Sequence, residues 1–179
     1  MWRLLAITGI AMTLSACNLL GPTKKPVPVT ANHADRLKVG CYTVDLFDPY
    51  RLKYPKAGVP REHSRFIGVW KDAAWNGEWC HDLYITEVLA DGTVTLLDAH
   101  GPNRRQGREA TVFKRTAKIS NGVLTFQSVG GATVTYRLSE DGSFLLGKRS
   151  DISGKYDITM ARRDGVPVPP IPPRKPARS

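Results

Sequence analysis

From residue 66 onward, the chain is made of short runs of β-forming residues separated by tight-turn signals. Asn-Gly, Asp-Gly and Gly-Gly pairs readily adopt the positive φ angles that a two-residue hairpin turn needs. Such pairs recur at near-even spacing: Asn76-Gly77, Asp91-Gly92, Asn121-Gly122, Gly130-Gly131 and Asp141-Gly142. The runs around them predict eight strands, at residues 66–75, 78–89, 93–100, 110–120, 123–129, 132–139, 143–149 and 154–162.

Apolar and polar residues alternate within several of these runs, as in strands with one buried face. The apolar sets that share a predicted inner face are Val94 and Leu96; Leu124 and Phe126; Val134, Tyr136 and Leu138; Phe144 and Leu146; and Tyr156, Ile158 and Met160. Closing such a meander on itself removes its exposed edges. We therefore expect an all-β fold, a small eight-stranded antiparallel up-and-down barrel at residues 66–163, with a filled or nearly filled interior.

The segments outside the barrel have a different composition. Residues 17–36 are rich in proline and predict a flexible tether. Residues 37–65 contain a short strand-like run at 40–47 followed by several prolines, so we expect a mostly irregular arm. Residues 164–179 form a basic, proline-rich tail. The tail is either a solvated extension or a semi-rigid arm that binds an anionic polymer or a proline-recognising groove.

The N-terminus carries an export signal. Arg3 precedes a short apolar run at residues 4–14, and Leu14-Ser15-Ala16-Cys17 follows. This motif closely resembles the lipobox of bacterial lipoproteins. The resemblance implies a signal peptide at residues 1–16 and a lipid on Cys17, and Asn18 in place of aspartate favours the outer membrane. The predicted location is lipid-anchored in the cell outer membrane, facing the periplasm. The alternative is an ordinary secretory signal with a chance cysteine.

The charge of the chain limits the kinds of partner that we expect. The chain has 26 Lys and Arg against 16 Asp and Glu, a net charge of +10, which favours an anionic envelope component or an acidic periplasmic protein. The export signal argues against nucleic acid as a partner.

With Cys17 taken by lipid, Cys41 and Cys80 most simply form a disulfide in an oxidising compartment. A metal site at residues 80–82 is disfavoured because adjacent side chains of a strand point to opposite faces.

A second resemblance concerns the barrel. Gly68 and Trp70 on the first strand form a Gly-x-Trp motif like that of the lipocalins and the wider calycin superfamily. In that superfamily, an arginine near the end of the last strand packs over the tryptophan and closes the barrel. The resemblance covers residues 66–163 and implies this role for Arg162 or Arg163. The strands here are shorter than in true lipocalins, and the first loop is a tight turn, so a deep ligand cavity is not expected.

Two parts of the barrel are binding candidates, an arginine-rich loop and a pair of tryptophans. The loop after the third run is rich in arginine and glycine, which suits a phosphate, sulfate or carboxylate, although it could equally be a hydrophilic crossover. Two tryptophans flank the first turn; they would stack on sugar rings if exposed, or plug the barrel end if buried. The candidate ligand-binding residues are Arg104, Arg105, Arg108, His100, Trp75 and Trp79.

No catalytic residue, metal site or cofactor is predicted. The four histidines lie in separate segments without metal-ligand spacing and are expected to be scattered over the surface. Glu78 and Asp82 could pair on one strand face, although surface charges are the commoner case. We therefore expect a non-catalytic barrel that binds a small molecule or an anionic envelope component. The alternative is a protein-interaction barrel, such as an inhibitor of a periplasmic protease or lysozyme. A convergent group of His, Glu or Asp in a cleft would favour an enzyme instead.

Overall fold

The computed structural model describes residues 33–44 and 51–163, and this part of the chain is almost entirely β. The strands are β1 (Gly68–Lys71), β2 (Ala74–Trp75), β3 (Trp79–Val88), β4 (Thr93–His100), β5 (Thr111–Ser120), β6 (Val123–Gln127), β7 (Thr133–Leu138), β8 (Phe144–Asp151) and β9 (Gly154–Arg162). One α-helical turn, α1 (Arg61–Ser64), precedes them, and short 3-10 turns lie at His33–Arg36, Arg104–Gln106 and Val129–Gly131. No helix in these two ranges is long and apolar enough to cross a membrane. The predicted signal peptide, Cys17, the tether up to residue 32 and the tail at 164–179 lie outside the described residues.

The strands form a closed antiparallel barrel. From β3 to β9 each strand pairs with the next along the chain, and β1 pairs with both β9 and β3, which closes the sheet. The predicted eight-stranded up-and-down barrel is therefore confirmed. The first predicted strand, at 66–75, is wrong in one respect, because it is two strands. Asp72 adopts a positive φ of 58° between them, and β2 pairs with the start of β3 as a short extra strand.

The two Asn-Gly turns follow the predicted chemistry, whereas at Asp91-Gly92 and Asp141-Gly142 only the glycine has a positive φ. Asn76 and Gly77 have φ angles of 48° and 76°, and Asn121 and Gly122 have 50° and 71°, so both pairs form the mirror-image turn that suits the strand twist. Because the turns alternate between the two ends, the barrel has two unlike ends. We call the end that carries residues 76–78, 101–110, 128–132 and 152–153 the open end, and the opposite end the closed end.

The barrel interior is filled by its own side chains. The largest fully buried side chains include Trp70, Phe66, Ile67, Leu83, Ile85, Leu96, Leu124, Tyr136, Leu145 and Met160. The predicted inner face of β8 is wrong, because Leu145 and Gly147 face inward while Phe144 and Leu146 are only partly buried. Gly147 lies opposite Tyr136 in the β7–β8 register, and a Cβ there would overlap the tyrosine ring. The glycine thus makes room for the Tyr136 ring.

Arg162 covers Trp70 at the closed end. Its guanidinium lies 4.2 Å from the centre of the Trp70 ring, and it donates hydrogen bonds to the carbonyl oxygens of Ile67, at 2.8 Å, and Arg65. Gly68 has a φ of 150°, and a Cβ on it would lie 2.5 Å from the guanidinium. The Gly-x-Trp pair and the arginine therefore depend on one another sterically. Burial, with Arg65 nearby, lowers the pKa of Arg162 to about 10, so it stays charged at neutral pH.

The predicted disulfide between Cys41 and Cys80 is confirmed, with Cα atoms 5.5 Å apart. It fastens the arm to the start of β3. Next to it, the Thr43 hydroxyl donates a 2.9 Å hydrogen bond to the buried Asp82 carboxylate. The predicted short strand at 40–47 is not present at residues 41–44, and the rest of that run lies outside the described residues.

Candidate functional site

A cleft of about 750 Å³ lies at the open end of the barrel. The β2–β3 turn, the loop between β4 and β5 and the β8–β9 hairpin form its walls. Three of its lining arginines, Arg104, Arg105 and Arg108, were predicted from the sequence, and a fourth, Arg149 on β8, was not. Trp79 lines the same cleft, so the structure brings most of the predicted binding residues together.

Hydrogen bonds within the loop present its arginines. The Asn103 backbone N–H donates to the Arg108 carbonyl at 2.8 Å, and the Arg108 N–H donates to the Asn103 carbonyl at 3.0 Å. The Asn103 side chain also accepts a bond from the Gln106 N–H at 3.2 Å, in a short 3-10 turn that ends at the left-handed Gly107. The loop is thus closed on itself, and Arg104 projects from a locally bonded turn.

The cleft is more cationic than its ion pairs can neutralise. Arg105 pairs with Glu78 at 3.0 Å, and Arg149 pairs with Asp151 at 3.1 Å. Within the described part of the chain, neither Arg104 nor Arg108 takes part in an ion pair. The Arg105 pair is exposed on both sides, where such pairs contribute little. An anion in the cleft would therefore meet at least two cations that no carboxylate neutralises.

Trp79 forms the inner wall of the cleft. Its ring stacks on His100, with centroids 4.6 Å apart, and its N–H donates to the Gly101 carbonyl at 2.8 Å. The guanidinium groups of Arg108 and Arg149 lie 5.7 Å and 5.6 Å from its ring centre. Trp75 is only 3% exposed and packs in the core. Of the two predicted roles, it therefore fills the barrel end and is not free to stack on a sugar ring.

Beneath Trp79 lies a buried polar group that the sequence analysis missed, which we call the histidine cluster: His81, Asp98, His100, Arg115 and Tyr136. The expectation of scattered surface histidines is wrong for His81 and His100, which are both buried. The β3–β4 register places His81 directly opposite His100, and Asp98 lies two residues before His100 on the same face. Val94 and Leu96 face inward on β4, and the same alternation places Asp98 and His100 on the inner face. That alternation is the signal in the sequence that could have identified both as buried.

Hydrogen bonds connect the histidine cluster into a chain. His81 Nε2 lies 2.9 Å from the Tyr136 hydroxyl, and the Nδ1 atoms of His81 and His100 lie 3.2 Å apart. His100 Nε2 lies 3.1 Å from Asp98 Oδ1, although the angle is too poor for that oxygen to count as hydrogen-bonded. Arg115 Nε binds the other Asp98 oxygen at 2.5 Å. With the Tyr136 hydroxyl as donor to His81 Nε2, one proton on His81 Nδ1 satisfies both hydrogen bonds of His81. The proton of His100 then lies on Nε2, facing Asp98.

The surroundings fix the charges of this cluster. Burial, reinforced by the neighbouring His100, lowers the pKa of His81 to about 3, so His81 is neutral at pH 7. Burial alone would raise the pKa of Asp98, but His100, His81 and Arg115 outweigh it and hold the pKa well below its usual range. Arg115 is the permanent charge among these partners. Burial raises the pKa of the Tyr136 hydroxyl well above its ordinary value, so it remains a donor.

Among the described residues, His81, Asp98 and His100 are the group that could hold a metal ion, with donor atoms within 4.8 Å of one another. Coordination through both Nε2 atoms would leave a hydrogen on each Nδ1, and these two atoms face each other at 3.2 Å. Arg115, bound to Asp98, also adds positive charge beside the carboxylate. The geometry therefore favours a hydrogen-bonded chain over a metal centre, and the expectation of no metal or cofactor stays a prediction.

Glu78 and Asp82, the two acids that the sequence analysis considered as a pair, have different partners. Glu78 is exposed and binds Arg105. Asp82 is buried, with the Lys71 ammonium 3.2 Å away and Thr43 hydrogen-bonded to it. Burial raises the pKa of Asp82, and Lys71 and Thr43 offset part of that rise. The Asp82 carboxylate thus fastens the arm to the barrel and takes no part in the cleft.

A second cavity of about 270 Å³ lies beside the cleft, between β5 and the β6–β7 connection. His100, Phe113 and Ser128 line it, together with Arg108 and Arg149, which also border the cleft. His100 thus reaches a cavity wall, but both of its ring nitrogens face the histidine cluster. No protein-family model matches the sequence, and no curated protein matches it either.

Proposed function

We propose that this chain is a lipid-anchored cell-envelope protein whose barrel binds a small anionic molecule, or an anionic envelope component, in the cleft at its open end. The observation that carries the proposal is the cationic cleft itself, which four arginines line together with Trp79, and two of these arginines, Arg104 and Arg108, have no ion pair among the described residues. Guanidinium groups bind phosphate and carboxylate in a bidentate manner, and an aromatic wall adds stacking.

The proposal is binding without catalysis. The ring nitrogens of His81 and His100 are directed at each other, at Tyr136 and at Asp98. A general base must lie within hydrogen-bond reach of the proton that it takes. The histidine cluster instead gives a rigid, charged floor on which Trp79 is stacked. This arrangement favours a binding protein over an enzyme.

The proposed compartment rests on the sequence and on the disulfide. The motif Leu14-Ser15-Ala16-Cys17 resembles a lipobox, and a disulfide such as Cys41–Cys80 suits an oxidising compartment. The packing of Arg162 on Trp70 supports the proposed kinship with the calycins, whose small barrels include binding proteins. Because the interior here is filled, we place the ligand at the barrel mouth.

Two measurements test the binding proposal. Native mass spectrometry of the protein, released gently from its membrane fraction, should show an added mass on the order of a few hundred daltons that is lost on denaturation, whereas the covalent lipid on Cys17 remains. A co-purifying protein in its place would favour the interaction barrel instead. Calorimetric titration with tripolyphosphate should then show saturable binding that weakens as salt is added.

The matched variants are Arg104→Gln/Arg105→Gln in the cleft and Arg51→Gln/Arg137→Gln at exposed positions elsewhere. Both change the net charge equally. We expect the cleft variant to bind tripolyphosphate at least about tenfold more weakly, because charge-assisted hydrogen bonds are among the stronger ones. Equal loss in both variants would mean that only net charge matters, and the proposed cleft would be abandoned.

A further inference from the structure

The barrel wall is incomplete beside the open end. β5 pairs with β4 through eight residues, from Thr111 to Lys118. On its other side β5 pairs with β6 through only three, Lys118, Ile119 and Ser120. β6 ends at Gln127, and the chain then turns through residues 129–131 into β7. The first half of β5 is therefore a strand edge inside an otherwise closed barrel.

The backbone groups on this edge can be assigned from the register. Ser120 and Val123 flank the two-residue turn and so exchange both hydrogen bonds, and backbone direction repeats every second residue. Val112, Lys114 and Thr116 therefore direct their N–H and C=O groups away from β4, towards the gap. Within the described chain, no strand residue pairs with these three on that side. Unpaired edge groups of this kind are a template for another strand.

The second cavity opens beneath this edge. Phe113 on β5 and Ser128 beyond β6 line it, together with Trp79 and His100. Arg115 reaches across the gap from inside, from Asp98 to the Gln127 carbonyl at 3.5 Å, and its buried Nη2 has no hydrogen-bond partner. A strand added beside β5 would direct alternate side chains into this cavity.

Charge selects the occupant. Arg108, Arg149 and Glu109 line the cavity, Arg149 is paired with Asp151 outside it, and Lys114 stands exposed on the edge itself, so Arg108 and Lys114 leave an excess of positive charge. A second copy of this chain, at net charge +10, would meet repulsion there. The C-terminal tail is equally unsuited, since it is basic and its prolines lack the N–H that a strand needs.

We propose that the edge at Val112, Lys114 and Thr116 binds an extended acidic peptide of a partner protein as an added strand, with one carboxylate side chain in the second cavity. Main-chain hydrogen bonds supply the affinity in this mode, and the cavity supplies the preference for an acidic residue. The inference goes beyond the binding of a small anion in the cleft, because the edge is a separate surface that only shares Arg108 and Arg149 with it.

The test uses the full-length protein and a fluorescent six-residue peptide of alternating valine and glutamate. We expect saturable binding by fluorescence anisotropy. Hydrogen exchange followed by NMR should show the amides of Val112, Lys114 and Thr116 exchanging fast in the free protein and slowly with peptide. A peptide that is N-methylated at its valines keeps the charge of its glutamates but loses the valine N–H groups that would donate hydrogen bonds to β5. It should bind at least about tenfold more weakly, since it cannot form these main-chain hydrogen bonds.

Variants separate pairing from simple charge attraction. Lys114→Pro removes an N–H that β4 does not use and should abolish binding, whereas Lys114→Gln should keep the protection pattern. Arg104→Gln/Arg105→Gln should weaken tripolyphosphate but not the peptide, so the two proposals fail separately. If Lys114→Pro does not fold, binding of the N-methylated peptide to the wild-type protein still tests whether main-chain pairing occurs. Absence of binding, equal affinity of the N-methylated peptide, or binding without protection of the three amides would overturn the proposal.

Discussion

At the scale of single residues, two neighbouring arginines at the end of β9 have unequal roles. Arg162 stacks on Trp70 and donates to two backbone carbonyls, while Arg163 is half-exposed and lies 3.4 Å from the Asp72 carboxylate. The sequence left the choice between them open, because the strand register that decides it depends on β1 pairing with β9. Only a residue opposite Trp70 can reach over its ring.

We expect Arg162→Lys to lower the free energy of unfolding by about 2 kcal/mol, because lysine lacks the planar fork that binds two carbonyls and stacks. Arg163→Lys is the matched control and should change it by less than about 0.5 kcal/mol. Urea unfolding followed by tryptophan fluorescence measures both. Equal effects of the two substitutions would show that the closed end does not depend on Arg162.

Buried His81 predicts a loss of stability in acid. Its ordinary pKa of 6.5 falls to about 3 in the folded protein, so between these values the unfolded chain binds more protons. Stability should therefore fall as the pH drops from 6.5 towards 3, by at most about 1.4 kcal/mol per pH unit. The pKa of Asp98 is held below its usual 3.8, so protonation of Asp98 also lowers the stability, but only at lower pH.

The check is the free energy of unfolding in urea between pH 7 and pH 4, for the wild type and His81→Gln. The variant should be less stable at pH 7, because Tyr136 and His100 lose a partner, yet its stability should change less with pH. His63→Gln, outside the histidine cluster, controls for the loss of an imidazole. A slope as steep in His81→Gln as in the wild type would place the acid sensitivity elsewhere.

At the scale of elements, the sequence predicts the strands well because their limits are set by local chemistry. Turn pairs such as Asn76-Gly77 fix where hairpins reverse, and the structure keeps them. The break at Asp72 was missed because a positive φ at a non-glycine residue has no strong local signal. The inner face of β8 was also missed, since Gly147 has no side chain to mark it and only Tyr136 across the ladder explains it.

The candidate site was predicted in part for the same reason. Arg104, Arg105 and Arg108 lie in one loop, so the sequence shows them together. Arg149 joins them only through strand pairing. The histidine cluster likewise arises from long-range register, which places His81 opposite His100. Individual strands could be identified from composition and alternation, but a site assembled across strands needed their pairing.

The arm depends on its disulfide at the same scale. Closing the 39-residue separation between Cys41 and Cys80 removes chain entropy from the unfolded state. We expect Cys41→Ala/Cys80→Ala to lower the free energy of unfolding by about 4 kcal/mol, measured in urea without reductant. The Asp82 carboxylate would keep its Lys71 partner, so the barrel itself should still fold. A loss below about 1 kcal/mol would mean that the arm is held mainly by its other contacts.

At the scale of the whole molecule, the two ends of the barrel are specialised differently. The closed end is sealed by Trp70 and Arg162, while the open end carries the arginine cleft, the buried polar cluster and the unpaired β5 edge. Because the interior is filled, the proposed binding lies at the loops, where sequence can change without disturbing the core. A net charge of +10 favours the approach of anionic partners, and this long-range effect weakens as salt is added.

A positive charge can also hold a protein on an anionic membrane, so a test of the proposed lipid anchor must separate the two effects. A lipid on Cys17 would bury acyl chains at about 0.8 kcal/mol per CH₂, far more than surface charge can provide in salt. We expect Cys17→Ser to move the protein from the membrane fraction to the periplasmic fraction once the membranes are washed in high salt. Asn18→Asp should keep the anchor and shift the protein from outer to inner membrane on a density gradient. If Cys17→Ser remains bound after the wash, the lipid is not the anchor. If Asn18→Asp does not change membranes, the anchor stands but residue 18 does not sort it.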